Sequence, residues 1–176
     1  MPERTPEEER IRGYLIGQAA KLSIPELIDK VRTDSLQVWE AAAAVPAGKF
    51  GDRPTDGEWS ASEVLNHVLA MTENSTSSIT GILRDGTLPP RIRDTMEPGG
   101  RPGFLSADDY RRAFDVTRVP LYEAVANATG DERLDVKIEH PNFGGFSWRE
   151  WFLFMRVHDL DHMRQLQAIA TAFQAT

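Results

Sequence analysis

Histidines are the side chains best suited to bind a metal in this 176-residue chain, because the sequence contains four of them and no cysteine. His158 and His162 are four residues apart in a segment whose periodicity predicts a helix over residues 148–173. At that spacing two imidazole rings stand one turn apart on one helical face and can bind one ion. The predicted core-facing stripe of this helix consists of Trp151, Met155, His158, His162, Ile169 and Phe173. Both rings are therefore predicted to point inward.

A third histidine, His67, lies in a separate segment whose periodicity predicts a helix over residues 61–84. The apolar arc of that helix contains Val64, Val68, Ile79 and Ile82. His67 lies at the border of the arc and has polar neighbours, so we expect it to face a partly polar interior. If the two helices pack together, His67 joins His158 and His162. Three imidazoles would then bind one divalent ion and leave a coordination position open for water or substrate.

The placement of the three histidines also has a purely structural explanation, which stays open at this point. A His-x-x-x-His pair is common by chance, and an inward histidine is often only a hydrogen-bonded core residue. However, three buried imidazoles without partners would leave polar nitrogens unsatisfied, whereas one ion satisfies all three. The sequence therefore favours a divalent metal site, with zinc as the first choice and Ni(II) or Fe(II) also suited to an all-imidazole site.

Other polar residues near the histidines have competing roles. Asp159 and Asp161 flank the stripe and could accept a hydrogen bond from a ligand histidine, but solvated surface positions are favoured for both. Glu63 precedes His67 by one turn and could be a fourth ligand or a base, but helix capping already explains it. His140 lies in a turn-rich loop, where a structural or exposed role is favoured.

Helix starts are predicted by a repeated signature, in which a Ser or Thr caps the helix and an acid three residues later caps in return. The full signature begins at Ser23, Ser60, Ser106 and Ser147, and a weaker form begins at Thr5. It predicts main helices near residues 24–45, 61–84, 107–128 and 148–173, and a short extra helix near 6–20. We divide the chain into an N-terminal extension, residues 1–22, and a helical bundle, residues 23–176.

Several segments interrupt or supplement these helices. Pro120 lies inside the third main helix, where it removes a backbone donor and predicts a kink or a break. The Pro- and Gly-rich stretch 86–105 is a long crossover, which allows the helices on either side of it to run parallel. Residues 135–139 alternate like a short strand, although one strand does not make a sheet. Core packing together with a dimer contact is predicted for Trp148, Trp151, Phe152 and Phe154.

Composition excludes several functions. The net charge is −7 and no Lys/Arg stripe is present, so nucleic-acid binding is disfavoured. The first 20 residues do not have the pattern of a signal peptide, and no apolar run is long enough to span a bilayer, so we expect no membrane association and a cytoplasmic location. A single soluble domain with a small-molecule substrate or ligand is the remaining expectation.

Three stretches resemble one known family. They are Glu58 to His67 (EWSASEVLNH), His158 to Leu166 (HDLDHMRQL) and the loop His140 to Gly144 (HPNFG). Each is similar to an element of the DinB/YfiT-like superfamily of metalloenzymes, and the likeness spans roughly residues 24 to 172.

The resemblance implies an all-α, four-helix bundle of up-down-down-up topology, with which the long crossover agrees. It also implies homodimers and a metal site at the positions of His67, His158 and His162. Chemistry in the family includes S-transferases and isomerases that use low-molecular-weight thiols as cosubstrates. We therefore expect a metal-dependent enzyme of S-transferase or hydrolase type. A non-enzymatic bundle that binds a small ligand or senses stress is the alternative, because no clear catalytic base is evident in the sequence.

Overall fold

The computed structural model describes residues 4–90 and 100–174. These residues form five helices, α1 (Pro6–Lys21), α2 (Ile24–Ala43), α3 (Ala61–Asp85), α4 (Ala107–Ala126) and α5 (Trp148–Gln174). A short 3-10 helix, Ala47–Lys49, follows α2, and the strands β1 (Ile138–His140) and β2 (Gly144–Phe146) precede α5. The prediction of an all-α bundle with an extra N-terminal helix is confirmed, and the helix bounds agree with the predicted ones to within about two residues.

Capping residues start the helices where the sequence signature predicts. At the start of α3, the backbone N–H of Glu63 donates to Ser60 Oγ over 3.2 Å. In return, the N–H of Ser60 donates to the Glu63 carboxylate over 2.8 Å. Reciprocal pairs of this kind also begin α1 at Thr5, α4 at Ser106 and α5 at Ser147. Each pair satisfies backbone donors that have no partner within the helix, and so determines at which residue the helix begins.

The directions of the four long helices follow from which ends are in contact. Between α2 and α5, Leu22 just before α2 contacts Arg149, and Ser35 contacts Asp159. Between α3 and α4, Ser62 contacts Tyr110, and Thr76 contacts Thr117. Between α3 and α5 the order is reversed, since His67 contacts His158 and Ser75 contacts Trp151. Hence α2 runs parallel to α5, α3 runs parallel to α4, and α3 runs antiparallel to α5. This is the up-down-down-up arrangement that the family resemblance implied.

The helix α4 continues through Pro120, so the predicted break is not found. Pro120 is exposed, and the carbonyl that its missing N–H would have bonded belongs to Val116, which is 72% exposed. Water can therefore satisfy that carbonyl, and the cost of the proline remains local to the outer face of the helix.

The predicted strand is part of a hairpin that the sequence pattern did not reveal. β1 begins three residues later than predicted and pairs antiparallel with β2, with Ile138 opposite Phe146. The turn is closed by His140, whose Nδ1 accepts hydrogen bonds from the N–H groups of Asn142 and Phe143 over 3.1 and 3.3 Å. The structural role predicted for His140 is therefore confirmed, and the partner strand was missed because it contains two glycines.

The aromatic side chains at the start of α5 lie in the core. Trp148, Trp151, Phe152 and Phe154 are at most 5% exposed within a single chain. Core packing is confirmed, but the predicted dimer contact through these rings is wrong, because the chain already buries them itself. α1 also contributes to this core through Leu15, which is fully buried.

The crossover is irregular where it is described, as predicted, and its residues 91–99 lie outside the described residues. The helix that precedes the crossover is α3, and it is capped by Gly86, whose φ of 81° is left-handed. On the far side, the guanidinium of Arg101 donates two hydrogen bonds to the Glu73 carboxylate of α3, over 2.6 and 2.9 Å. Among the described helices none is long and apolar enough to cross a membrane.

Candidate metal centre

Three histidines meet between α3 and α5. His67 Nε2 lies 3.0 Å from His158 Nε2, and the ring centroids of His158 and His162 are 4.5 Å apart. One possible ligand atom from each of the three side chains falls within 4.8 Å of the other two. The structure therefore brings together the three residues that helical spacing singled out, including His67 from the distant helix.

Gln165 orients the third ring. Its side-chain oxygen lies 2.9 Å from Nδ1 of His162, so that Nδ1–H donates to the amide and Nε2 is the nitrogen left for a ligand role. Burial, together with the charge that His158 and His67 would carry, lowers the pKa of His162 to about 3. The ring is therefore neutral at physiological pH, which is the form that can bind a metal.

The indole of Trp59 encloses the outer side of the cluster. Its ring is parallel to that of His162, with centroids 6.5 Å apart, and meets the ring of His67 edge-on at 5.5 Å. Trp59 immediately precedes the cap residue of α3, so the capping box that starts the helix also positions this ring. Neither Trp59 nor Gln165 was identified from the sequence, although Gln165 lies one turn after His162 and that spacing could have indicated it.

The donor set fits a divalent ion. Zinc binds imidazole nitrogen at about 2.0–2.1 Å in tetrahedral geometry, which places ligand nitrogens roughly 3.3 Å apart. His67 Nε2 and His158 Nε2 lie 3.0 Å apart, close to this value, and the three ligand atoms as a set lie within 4.8 Å of one another. Three imidazoles fill three tetrahedral positions and leave the fourth for water or substrate.

Glu63 is not one of the three residues that converge, and its carboxylate has other partners. Its carboxylate caps α3 and forms a two-point ion pair with Arg53, over 2.6 and 3.0 Å. The hydrogen bonds to this carboxylate raise the pKa of the Arg53 guanidinium. The preference for a capping role is confirmed.

Asp159 is the one candidate whose predicted environment was wrong. It is 1% exposed rather than solvated, and its Oδ2 accepts from Arg118 Nη2 of α4 over 2.9 Å. Burial alone would raise the pKa of this carboxyl, but the charge of Arg118 and hydrogen bonds hold it below the ordinary value. The helical wheel failed here because α5 is covered on several sides, by α1 and α2 as well as by α3, and because Arg118 of α4 reaches the carboxylate of Asp159. Asp161 is exposed, as predicted.

Two pockets lie near the cluster. One, of about 390 Å³, is lined by Gly57, Glu58, Trp59, Gln165, Ala168, Ile169 and Ala172. The other, of about 150 Å³, is lined by Met71, Asn74, Ser78, Leu88, Pro89, Ile138, Glu139 and Trp151. The first shares Trp59 and Gln165 with the histidine cluster, and the second begins at Met71, one turn after His67. None of the three histidines lines either pocket, so these pockets are neighbours of the cluster rather than parts of it.

The structure defines the protein as a helical bundle with three histidines between two of its helices. The profile of the DinB superfamily matches residues 27–166, so the chain belongs to the DinB superfamily. The chain is also 23% identical over 150 residues to the uncharacterized protein YuaE of Bacillus subtilis (strain 168), across 76% of this chain and 91% of YuaE. No solved structure matches.

Proposed function

We propose that this protein binds one divalent metal ion through His67, His158 and His162, and that it is a metal-dependent enzyme. The observation that supports the proposal most directly is the convergence of three imidazole nitrogens, from two separate helices, within 4.8 Å. Hydrogen-bonded core histidines have no need to converge on one point, whereas metal ligands do.

Zinc is the first choice for the ion. Imidazole nitrogens suit Zn(II), Ni(II) and Fe(II), and with no cysteine in the chain the softer thiolate sites are excluded. A four-coordinate geometry with one open position is typical of catalytic zinc. When bound, such an ion supplies a Lewis acid that lowers the pKa of a water or thiol in the open position.

The carboxylates near the cluster favour a thiol over a water as the nucleophile. Glu63, Glu73 and Asp159 are each held in an ion pair with an arginine. None of these three is available as the general base that metal-assisted hydrolysis commonly uses, so hydrolysis would have to draw on Glu58 or Glu139, which line the two neighbouring pockets. A low-molecular-weight thiol loses its proton more readily than water and is the better nucleophile once ionised.

The proposed reaction is therefore S-transfer. A thiol R–SH and an electrophile R′–X give R–S–R′ and HX, so that a carbon–sulfur bond forms, the carbon–X bond breaks and the thiol proton leaves with X. His67, His158 and His162 hold the ion, and Gln165 fixes the ring of His162. The largely apolar pocket beside Met71 and Trp151 is suited to the carbon skeleton of the electrophile. Water hydrolysis at the same site is the second reaction type.

A non-enzymatic ligand-binding role is the alternative. The same ion-paired carboxylates that disfavour hydrolysis would also suit a site that only holds a ligand. The two proposals differ in turnover, which can be measured. The homodimer and the cytoplasmic location that the sequence suggests remain predictions.

The test is a turnover assay on zinc-reconstituted protein with a simple thiol and a chlorinated dinitrobenzene as the electrophile. We expect the thiol and the electrophile to be consumed in equal amounts, and we expect His67→Ala to abolish this activity. The matched control is His140→Asn, which changes the histidine outside the cluster but keeps an acceptor for the turn. Metal-dependent ester hydrolysis without thiol would replace S-transfer by hydrolysis. The absence of any metal-dependent turnover across a panel of thiols and esters would contradict the enzyme and favour the ligand-binding alternative.

A further inference from the structure

A charged network lies in the centre of the bundle, next to the histidine cluster. Arg118 and Asp159 are 2% and 1% exposed. Arg118 also donates to Ser35 Oγ over 2.5 Å and to Thr72 Oγ1 over 3.4 Å. Ser35 lies on α2, Thr72 on α3, Arg118 on α4 and Asp159 on α5, so each helix of the four-helix bundle contributes one polar side chain.

A buried charged network is an unfavourable means of holding four helices together, because of its desolvation free energy. Removing two charges from water costs more than their attraction commonly returns, and well-packed apolar residues stabilise a core at least as well. The guanidinium also lies over the ring of Phe114, 4.0 Å from its centroid. A function other than stability is therefore the better explanation for this pair.

The hydrogen bonds within the network leave one carboxylate oxygen unused. Both Arg118 and Ser35 contact Oδ2 of Asp159, over 2.9 and 2.7 Å. The other oxygen, Oδ1, is buried and forms no hydrogen bond in the described part of the chain. It lies 3.9 Å from Nδ1 of His158, the residue immediately before it.

The other nitrogen of His158 is directed at the cluster. His158 Nε2 is 3.0 Å from His67 Nε2, so Nδ1 is the nitrogen remote from the proposed metal. A metal-binding histidine commonly donates its remote N–H to a carboxylate or carbonyl, which fixes the tautomer and the ring orientation. A small rotation of either side chain would bring the 3.9 Å contact into hydrogen-bond range.

We propose that Asp159 and Arg118 form a positioning pair for His158. Arg118 holds the carboxylate of Asp159 through Oδ2, and Asp159 accepts the Nδ1–H of His158 through Oδ1, which presents Nε2 to the ion. The inference rests on the proposed metal site, but it assigns a role to residues of α4 and α5 that are not metal ligands.

The test removes both charges together, so that neither is left buried and unpaired. In Arg118→Met/Asp159→Leu, the zinc dissociation constant is measured by competition with a chromophoric chelator, and thermal unfolding of the metal-free protein is measured alongside. We expect zinc affinity to fall about 10–100-fold. The absorption spectrum of the Co(II)-loaded protein should change as the ligand geometry loosens. Asp161→Asn, which alters the exposed acid on the same helix, should leave the zinc affinity unchanged within about twofold.

A folded double variant that binds zinc as tightly as the wild type would overturn the inference and leave the pair as structural. Should the double variant fail to fold, nitrogen-15 NMR of the zinc-loaded wild type decides instead. We expect His158 to be protonated at Nδ1 and metal-bound at Nε2, and the reverse assignment would overturn the positioning role. A wild type that binds no zinc would overturn both this inference and the proposed metal site, whereas loss of the positioning effect alone leaves the metal site intact.

Discussion

Single side chains determine whether the histidine cluster can act as a metal site. Each ring needs one nitrogen directed at the ion and the other held elsewhere. For His162 the second nitrogen is held by Gln165, at 2.9 Å. This contact is local, because both residues lie on α5 one turn apart. The preference for a metal over a simple core role therefore depends on these partners as well as on the three rings.

The role of Gln165 can be tested by Gln165→Ala. We expect the zinc dissociation constant to rise about 10-fold or more, because the Nδ1–H of His162 loses its acceptor and the ring is free to turn. Chelator competition gives the constant directly. Gln167→Ala, an exposed glutamine of the same helix, is the matched control. Equal affinities in the two variants would show that the amide does not orient the ring.

At the scale of elements, local chemistry predicts the helices well because capping is a short-range interaction. Ser60 and Glu63 are three residues apart, and their hydrogen bonds depend on nothing else in the fold. Interruptions of a helix are harder to predict, since the effect of a proline depends on whether it lies on the solvent-facing or the buried side of the helix. Pro120 faces solvent, and that orientation depends on how α4 packs against α2 and α3.

The cost of that proline is measurable. Pro120→Ala restores an N–H that can bond the carbonyl of Val116, and we expect it to stabilise the protein by about 1–3 kcal/mol. Part of the gain is offset because alanine leaves the unfolded chain more freedom, by about 0.4–1 kcal/mol. Urea unfolding gives the difference. A variant less stable than the wild type would mean that the proline fits a bend that alanine does not keep.

At the scale of the whole molecule, the sequence predicts the topology better than it predicts the interior. The up-down-down-up order followed from the long crossover and the family resemblance. The charged centre did not follow, because Arg118 and Asp159 are 41 residues apart and become neighbours only when the whole bundle assembles. A helical wheel assigns one buried face, whereas α5 contacts α1, α2 and α3. Asp159 was therefore expected at the surface and is in fact among the most buried residues.

The N-terminal helix is a further whole-molecule feature, since it packs on α5 and contributes Leu15 to the main core. We expect Leu15→Ala to lower the free energy of unfolding by about 2–5 kcal/mol, as for other fully buried leucines. Gly13→Ala, at an exposed position of the same helix with free space around it, should instead stabilise by about 0.5–1 kcal/mol. A loss well under 1 kcal/mol for Leu15→Ala would mean that α1 is a detachable extension.

The central claim is that His67 joins His158 and His162 on one ion, and metal content tests it most directly. Purified wild type, His67→Ala and His140→Asn are incubated with zinc at neutral pH, passed through a desalting column and analysed for metal and protein. We predict about one zinc per chain for the wild type and for His140→Asn, and well below half of that for His67→Ala. A wild type that retains no zinc, or a His67→Ala variant that retains it fully, would contradict the account.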